Sequence, residues 1–412
     1  MRVKIAKHKL TNDNIMVYNK PKYVYIPLIS GNDTDITILV NKGEYVYKGS
    51  IIGKRKGNLR IPLYASVSGT IIDFEERTCF NGTKVKCVMI ENDFKERIEK
   101  KISIKRNINK YTKEEFIDII KENGIVGLGG AGFPAYLKYE TDKKIKLLII
   151  NAVECEPYIT ADEALICSKC EEILEAIDAI LEINHIDKAI IAIKNNLLKE
   201  TFDNFIGTYL KITLKQVPNV YPMGWERSLI KEVTNKEYEN IPSDIGIIVN
   251  NVSTIFAIYE ALKFHKPLIE RIVTFSGEGL KKPQNVLLKI GTPIIEILNE
   301  LGFDNKNNII AGGPMMGKEV IDDLVISANQ NCILCLEDSH DDITNCLKCG
   351  QCISVCPVKL SPVLIMQAKD KNLASLEPNR CIECGLCSYI CPAKLDVRNH
   401  VIEAKKTLRS EK

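Results

Sequence analysis

The sequence predicts an α/β multidomain protein, and three observations predict it. Short strand-like pieces divided by Gly and Pro fill the first quarter, a glycine-rich turn stands among alternating helix and strand patterns in the centre, and two copies of CxxCxxCxxxCP crowd the C-terminal end. At 412 residues the chain exceeds one ordinary core, given roughly 150 residues per domain. With 45% apolar residues, 26% charged residues and a net charge of +3, it reads as globular and offers no basic surface for nucleic acid. No apolar run reaches the ~18 residues of a membrane span. The opening MRVKIAKHKL has neither the apolar core nor the cleavage site of a signal peptide, and the expected location is the cytosol.

The first part, residues 1–98, holds ILVNKGEYVYKGSIIG and PLYASVSGTIIDF, whose short strands and turn residues resemble the barrel-sandwich of biotinyl and lipoyl carriers. A carrier needs an acceptor lysine at its hairpin tip. The tip here, near residues 54–60, lacks the Met-Lys-Met or Asp-Lys-Ala context, so a docking or structural module is expected.

The second part spans 110–265. A helical pattern over residues 113–123 leads into GLGGAGFPAYLKY, where four glycines in six residues let backbone N–H groups approach a phosphate or a ring closely. The spacing is not the GxGxxG dinucleotide fingerprint, and a purely structural turn is the competing reading. Next, LLIINAVECEPYITADEAL reads as a buried strand, 147–150, that ends at Asn151 and opens into Glu154 and Glu156 before an amphipathic helix. A second edge of the same kind occurs where strand 245–249 gives way to Asn250, Asn251 and Thr254 and then a helix. Polar groups at the carboxyl ends of strands are where open α/β sheets bind ligands, and amide and hydroxyl side chains at a helix start suit a phosphate. The bland alternative is that the asparagines are helix caps and nothing more.

Fifteen cysteines in a chain expected to be cytosolic point to metal ligation before disulfides, and ten of them lie between Cys332 and Cys391. CLKCGQCISVCP and CIECGLCSYICP each carry three thiolates two residues apart and a fourth before proline. Three such thiolates wrap one face of a cubane, while the fourth points to the neighbouring cluster. One [4Fe-4S] cluster is therefore assigned to Cys346, Cys349, Cys352 and Cys391, and the other to Cys381, Cys384, Cys387 and Cys356. Zinc is the competing reading, but zinc sites do not call for a third evenly spaced cysteine or a trailing Cys-Pro. Between the motifs, SPVLIMQAKDKNLASLEP reads as one helix. Just before them, NCILCLEDSH contains a further CxxC, Cys332 and Cys335, that neither cluster requires. It reads as a redox dithiol, an incidental pair, or a metal site shared with Cys167 and Cys170.

Taken in order, GLGGAGFPAYLK, NAVECEP, VYPMGWERSLI, IVNNVST, PLIERIVTFSG and AGGPMMG resemble the C subunit of the Rnf electron-transport complex and its soluble relatives over essentially the whole chain. More remotely, the centre resembles the flavin-bearing 51-kDa subunit of respiratory complex I. The resemblance implies two [4Fe-4S] clusters, FMN and NAD(H) as cofactors. It implies a glycine loop at Gly127, Gly129, Gly130, Gly132 and Phe133 lining the flavin and nicotinamide pocket, and Lys138 meeting the flavin phosphate. It further implies an acidic segment at Asn151, Glu154 and Glu156 beside the flavin, and a phosphate and ribityl contact at Asn250, Asn251 and Thr254. Val153 stands where the respiratory subunit has aspartate, which matches the Rnf-type branch. A β-grasp (SLBB-like) domain over 266–328, closed by AGGPMMG as scaffold, and a dithiol segment with a dicluster ferredoxin-like helical domain over 329–412 complete the architecture.

The implied function is electron transfer from NADH through FMN and two clusters to a protein redox partner. Among the soluble relatives is an electron-transfer protein associated with D-proline reductase, and a dithiol at Cys332 and Cys335 would suit that thiol-dependent enzyme. Rnf subunits in a membrane complex are the alternative partner, which would make the chain peripheral at the inner face of the membrane. A cluster scaffold without enzymatic activity is the third reading.

Overall fold

The computed structural model describes residue 4 and residues 9–410, except 30–33, 57–60, 103, 131, 305–306, 338–342 and 369. Part of the expected hairpin tip at 54–60 thus lies outside the described residues. The chain opens with strand β1 (Ile15–Tyr18) and continues into a barrel of β2 (Tyr23–Pro27), β3 (Ile36–Ile38), β4 (Tyr45–Val46), β5 (Ile51–Arg55), β6 (Pro62–Tyr64), β7 (Gly69–Thr78) and β8 (Lys84–Asn92). These strands form two antiparallel sheets, β2-β8-β7-β4 and β3-β5-β6, closed on Val24, Ile26, Ile52, Val67, Ile71 and Ile90.

Helix α1 (Lys113–Glu122) starts at a capping box in which Thr112 and Glu115 satisfy each other's backbone N–H groups. After it come β9 (Leu147–Asn151), α2 (Ala161–Ile183), β10 (Lys188–Ile193), α3 (Asn196–Asp203), β11 (Ile212–Gln216), α4 (Glu226–Thr234), β12 (Ile247–Asn251) and α5 (Val252–Phe264). The four strands make a parallel sheet ordered β11-β10-β9-β12. Alternation along each strand sends Leu148, Ile150, Ile191 and Ile248 to the face covered by α2 and α5. Leu147, Ile149, Ala192 and Val249 go to the face covered by α4. Burial on both faces explains why the sequence shows continuous apolar runs here. The carboxyl ends of β9 and β12 lie side by side, with Asn151 opposite Asn251.

The third unit differs from the expected one. Its strands β13 (Glu270–Ser276), β14 (Gln284–Lys289), β15 (Asn308–Ala311), β16 (Lys318–Val320) and β17 (Cys332–Leu336), with helix α6 (Ile294–Glu300), form a six-stranded sheet ordered β1-β14-β13-β17-β15-β16. Its first edge is lent by β1 from the chain's beginning, and β17 lies inside the sheet, between β13 and β15. Residues 332–336, expected in the C-terminal module, thus belong to this sheet.

The C-terminal module packs α7 (Gln351–Ser354), α8 (Pro362–Gln367), α9 (Asp370–Leu373), α10 (Leu386–Tyr389) and α11 (Val397–Ser410) around Leu360, Ile365, Leu373, Val401 and Ala404. The stretch between the cysteine motifs is two helices and not one, because Ala368 turns to extended backbone (φ −67°, ψ 140°) at the end of α8. Among the described residues no helix is long and apolar enough to cross a membrane.

Candidate functional site

The glycine turn is pinned at both ends: Gly127 N–H donates to the Phe133 carbonyl at 2.7 Å, and Gly132 N–H to Gly127 at 3.1 Å. Its crest leans on the start of α5, where Leu128 N–H donates to Thr254 Oγ1 at 2.9 Å. Gly129 faces Asn251 so closely that a Cβ there would lie 3.3 Å from the asparagine's Cβ. Gly130 adopts φ +116° with open space where a side chain would stand, and Phe133 beside it is 46% exposed. The turn therefore offers bare backbone and one aromatic ring next to the β9–β12 edge. Lys138 does not point into solvent. Its ammonium donates to the Val249 carbonyl at 2.5 Å and sits 3.8 Å from Glu226, and burial holds its pKa below the usual lysine range against the pull of that carboxylate.

At the strand ends, Asn151 donates from Nδ2 to the Gly224 carbonyl at 2.8 Å and accepts from Val153 N–H at 3.1 Å. Asn251 caps α5 by accepting from Ser253 N–H at 2.9 Å, and its Nδ2 donates to Asp162 at 2.6 Å. Strand alternation separates Asn250 from it: Asn250 is buried and donates to the Tyr139 hydroxyl, away from the edge. Thr254, 1% exposed, likewise acts only through Leu128.

Glu154 caps α2, accepting from Asp162 N–H at 2.9 Å and Glu163 N–H at 3.2 Å. Burial and the neighbouring Asp162 push its carboxyl well above the usual range, and burial raises Asp162 as well, although Ser253, Asn251 and Arg271 favour its charged form. The two carboxyls hold a proton between them more readily than isolated acids would. Glu156 accepts from Met315 N–H at 3.0 Å and Met316 N–H at 3.3 Å, with burial raising its pKa against those two donors.

Those two methionines belong to the AGGPMMG loop, read from sequence as scaffold. Its Gly313 presses on Glu156, where a Cβ would fall 2.1 Å from Oε2. On the other side Met315 packs with Tyr221, Val355, Cys384 and Leu386. The Tyr221 hydroxyl donates to the Cys384 carbonyl at 2.6 Å, and Arg398 donates to the Met316 carbonyl at 3.1 Å. The loop thus spans the distance between the acidic segment and the cysteine module. Asp162, Gly224, Glu226, Tyr221, Met315 and Arg271 were not singled out from sequence. The available signals were the motifs VYPMGWERSLI, PLIERIVTFSG and AGGPMMG, which contain all of these residues but Asp162.

In the cysteine module two separate cavities are each walled by four cysteines. One is lined by Cys346, Cys349, Cys352 and Cys391, the other by Cys356, Cys381, Cys384 and Cys387. Each motif thus sends its fourth cysteine to the other motif's three. Gly350 (φ +73°) and Gly385 (φ +79°) supply the left-handed residues that start α7 and α10 inside the motifs. Backbone N–H groups of Leu360 and Glu383 point at the Cys356 and Cys381 sulfurs at 3.3 Å each, the type of donor that a buried anionic cluster needs.

The expected dithiol at Cys332 and Cys335 is corrected by β17. Residues three apart on a strand face opposite ways. Cys332 packs with Ile159 and Leu334 toward the acidic segment, Cys335 packs into the core under α6, and both are 0% exposed. Burial pushes Cys335 up to about 12 and also holds Cys332 well above the ordinary thiol range. Neither can meet the other or a partner's disulfide.

Three family models match: the RnfC barrel sandwich hybrid domain over 2–95, the Nuo51 FMN-binding domain over 120–260 and the 4Fe-4S dicluster domain over 345–395. The C subunit of the Na+-translocating ferredoxin:NAD+ oxidoreductase complex of Acetobacterium woodii is 33% identical over 86% of this chain and 83% of its own length. The proton-translocating counterpart of Clostridium ljungdahlii is 33% identical over 89% and 83%. The C subunit of the ion-translocating oxidoreductase complex of Vibrio cholerae is 35% identical over 86% of this chain, which spans 48% of that longer protein. Among solved structures, a chain of NAD+-reducing [NiFe]-hydrogenase in the H2-reduced state shares the fold with a TM-score of 0.50, 17% identity, and coverage of 68% of this chain and 52% of its own. The bare glycine turn at the sheet edge and the two four-cysteine cradles fit the FMN-binding and dicluster domains so matched. With a barrel-sandwich, an FMN-binding domain and a 4Fe-4S dicluster domain in that order, the chain belongs to the family of C subunits of Rnf-type ion-translocating oxidoreductase complexes.

Proposed function

We propose that this chain carries electrons between NADH and a protein partner, by way of FMN at the β9–β12 edge and two [4Fe-4S] clusters, one in each cysteine cradle. The observation that carries the reading is the unbroken line of contact from Glu156 through Met315 to Cys384. It ties the acidic edge of the sheet to a cysteine of the second cradle. Bound FMN supplies exchange of a hydride with nicotinamide and of single electrons with the clusters; the remaining work falls to the protein.

In this reading the backbone of Gly127, Gly129, Gly130 and Gly132 lets a flat ring lie against the turn, and the exposed Phe133 ring offers a stacking surface for the nicotinamide or adenine. Lys138 serves the flavin phosphate by leaving the Val249 carbonyl. Asn151 and Asn251 stand opposite each other at the paired ends of β9 and β12 and face the flavin there, and Glu154 with Asp162 holds a proton at the edge. One cradle uses Cys346, Cys349, Cys352 and Cys391, and the other Cys356, Cys381, Cys384 and Cys387.

The partner follows from likeness over 83% of two relatives' length, which favours other subunits of an Rnf-type complex with this chain peripheral to the membrane. D-proline reductase, the partner first expected, loses its main support because β17 buries Cys332 and Cys335. Anaerobic reconstitution followed by NADH titration tests the proposal. Flavin bleaching and then reduced [4Fe-4S] signals in EPR are expected. Clusters that respond to dithionite but not to NADH would sink it. Supplying each candidate partner to the reduced protein separates the two: re-oxidation by D-proline reductase alone would overturn the choice of Rnf subunits.

A further inference from the structure

Helix α2 carries another CxxC, Cys167-Ser168-Lys169-Cys170, which none of the foregoing uses. On a helix a spacing of three puts both side chains on one face, the reverse of the situation in β17. The two sulfurs converge on one residue of α3: Cys170 Sγ lies 3.8 Å from the Thr201 carbonyl, and the Thr201 side chain is a hydrogen-bond partner of Cys167. Cys167 is half-buried and Cys170 is 3% exposed, so one thiol can be reached from outside and the other waits behind it.

A regular helix holds the Cβ atoms of residues i and i+3 about 5–6 Å apart, whereas an S–S bond spans Cβ atoms about 3.5–4.5 Å apart. Closing a bridge therefore requires the backbone between the cysteines to leave helical geometry. In α2 it does so at Lys169, whose φ of −138° and ψ of 31° interrupt the helix inside the motif. Among the described residues no group of three His, Cys, Asp or Glu side chains could hold a metal ion here.

We infer that Cys167 and Cys170 form a thiol–disulfide exchange site that accepts low-molecular-weight disulfides and closes an intramolecular disulfide. The Cys167 thiolate attacks a disulfide RSSR, forming a mixed disulfide and releasing RS⁻, which takes up the proton that Cys167 gave. Cys170 then attacks the Cys167 sulfur, expelling the second RS⁻ and passing its own proton to it through solvent. The protein is oxidised by two electrons and RSSR is reduced to two RSH. Burial raises both thiols, Cys170 to about 12, so the exchange is slow at neutral pH and quickens as pH rises. The inference does not depend on the flavin reading.

The test uses the full chain with its clusters loaded, equilibrated anaerobically with glutathione of varied oxidised fraction, quenched with N-ethylmaleimide and digested with trypsin. Lys169 lies inside the loop, so a Cys167–Cys170 bond leaves the two tryptic halves joined. The joined species is expected to rise at least tenfold from the most reducing to the most oxidising buffer and to disappear on reduction. Cys170→Ser should instead trap glutathione on Cys167, and Cys167→Ser should trap nothing. A wild-type protein that never gives joined halves, or that keeps glutathione on Cys167 unresolved, overturns the inference. The wild-type result decides the matter even if a serine variant fails to fold.

Discussion

Replacing Glu156 by Ala removes the one acceptor shared by Met315 and Met316 N–H. A buried donor left without a partner costs about 1–3 kcal/mol. The two donors are not equal: Met315 is 6% exposed, so its N–H bears the full cost, whereas Met316 is 45% exposed and water can replace the carboxylate. The expected loss of local stability is about 2–3 kcal/mol, a factor of roughly 30–150 in the opening equilibrium of the AGGPMMG loop. Amide hydrogen exchange at residues 315 and 316 reads that factor directly. Stopped-flow mixing with NADH reads its consequence, a slower appearance of reduced cluster after flavin bleaching. Glu156→Gln keeps one carbonyl oxygen and should restore most of the protection. Unchanged exchange and unchanged cluster reduction in the alanine variant would refute the loop as the link between the acidic edge and the cysteine module.

Further outcomes follow from the same contacts. Glu154 has a raised pKa when folded and an ordinary one when unfolded, so the folded state binds the extra proton. Stability is then lost as pH climbs from about 5, near the ordinary glutamate value, through the folded value of about 8. Thermal melts of Glu154→Gln should show a shallower fall across that window, and an identical slope would argue against the shared proton. Cys332→Ala with Cys335→Ala should lower the melting temperature, at about 1–2 kcal/mol per site for lost packing, yet leave NADH-dependent reduction of the clusters intact in a dye assay. Cys391→Ala should disturb the EPR signal of the cluster held by Cys346, Cys349 and Cys352, and Cys356→Ala the other; effects confined to each cysteine's own motif would disprove the exchange of ligands. Tyr221→Phe gives up the bond to the Cys384 carbonyl, worth about 1 kcal/mol, and should shift one cluster's EPR line shape while the other stays put.

What the sequence disclosed was local. The eight cluster cysteines, the glycine turn and the polar ends of β9 and β12 are patterns of a dozen residues or fewer, set by spacing and periodicity. What it hid depends on distant partners. Asp162 matters because Asn251 reaches it, and AGGPMMG matters because Glu156 lies on one side and Cys384 on the other. No window of sequence contains both members of such pairs. The motif at Cys332 misled for a related reason, since CxxC spacing does not say whether the backbone is helical or extended. The apolar pair Ile333 and Leu334 between the cysteines is the signal of a buried strand. Asn250 shows the same limit on a smaller scale: a neighbour of Asn251 in sequence, it is on the other face of the strand.

Strand β1 pairs in parallel with β14, so residues 15–18 find their partners only at 285–288. During synthesis the ribosome must add about 270 further residues after β1 before that seam can be closed, and until then β1 has no sheet to join. The slow, long-range closure expected of such a pairing makes β1 a late fastening over a body already formed. Excising the barrel together with β1 as a recombinant fragment would therefore injure the neighbouring sheet, leaving the β14 backbone open to pair with whatever strand arrives first.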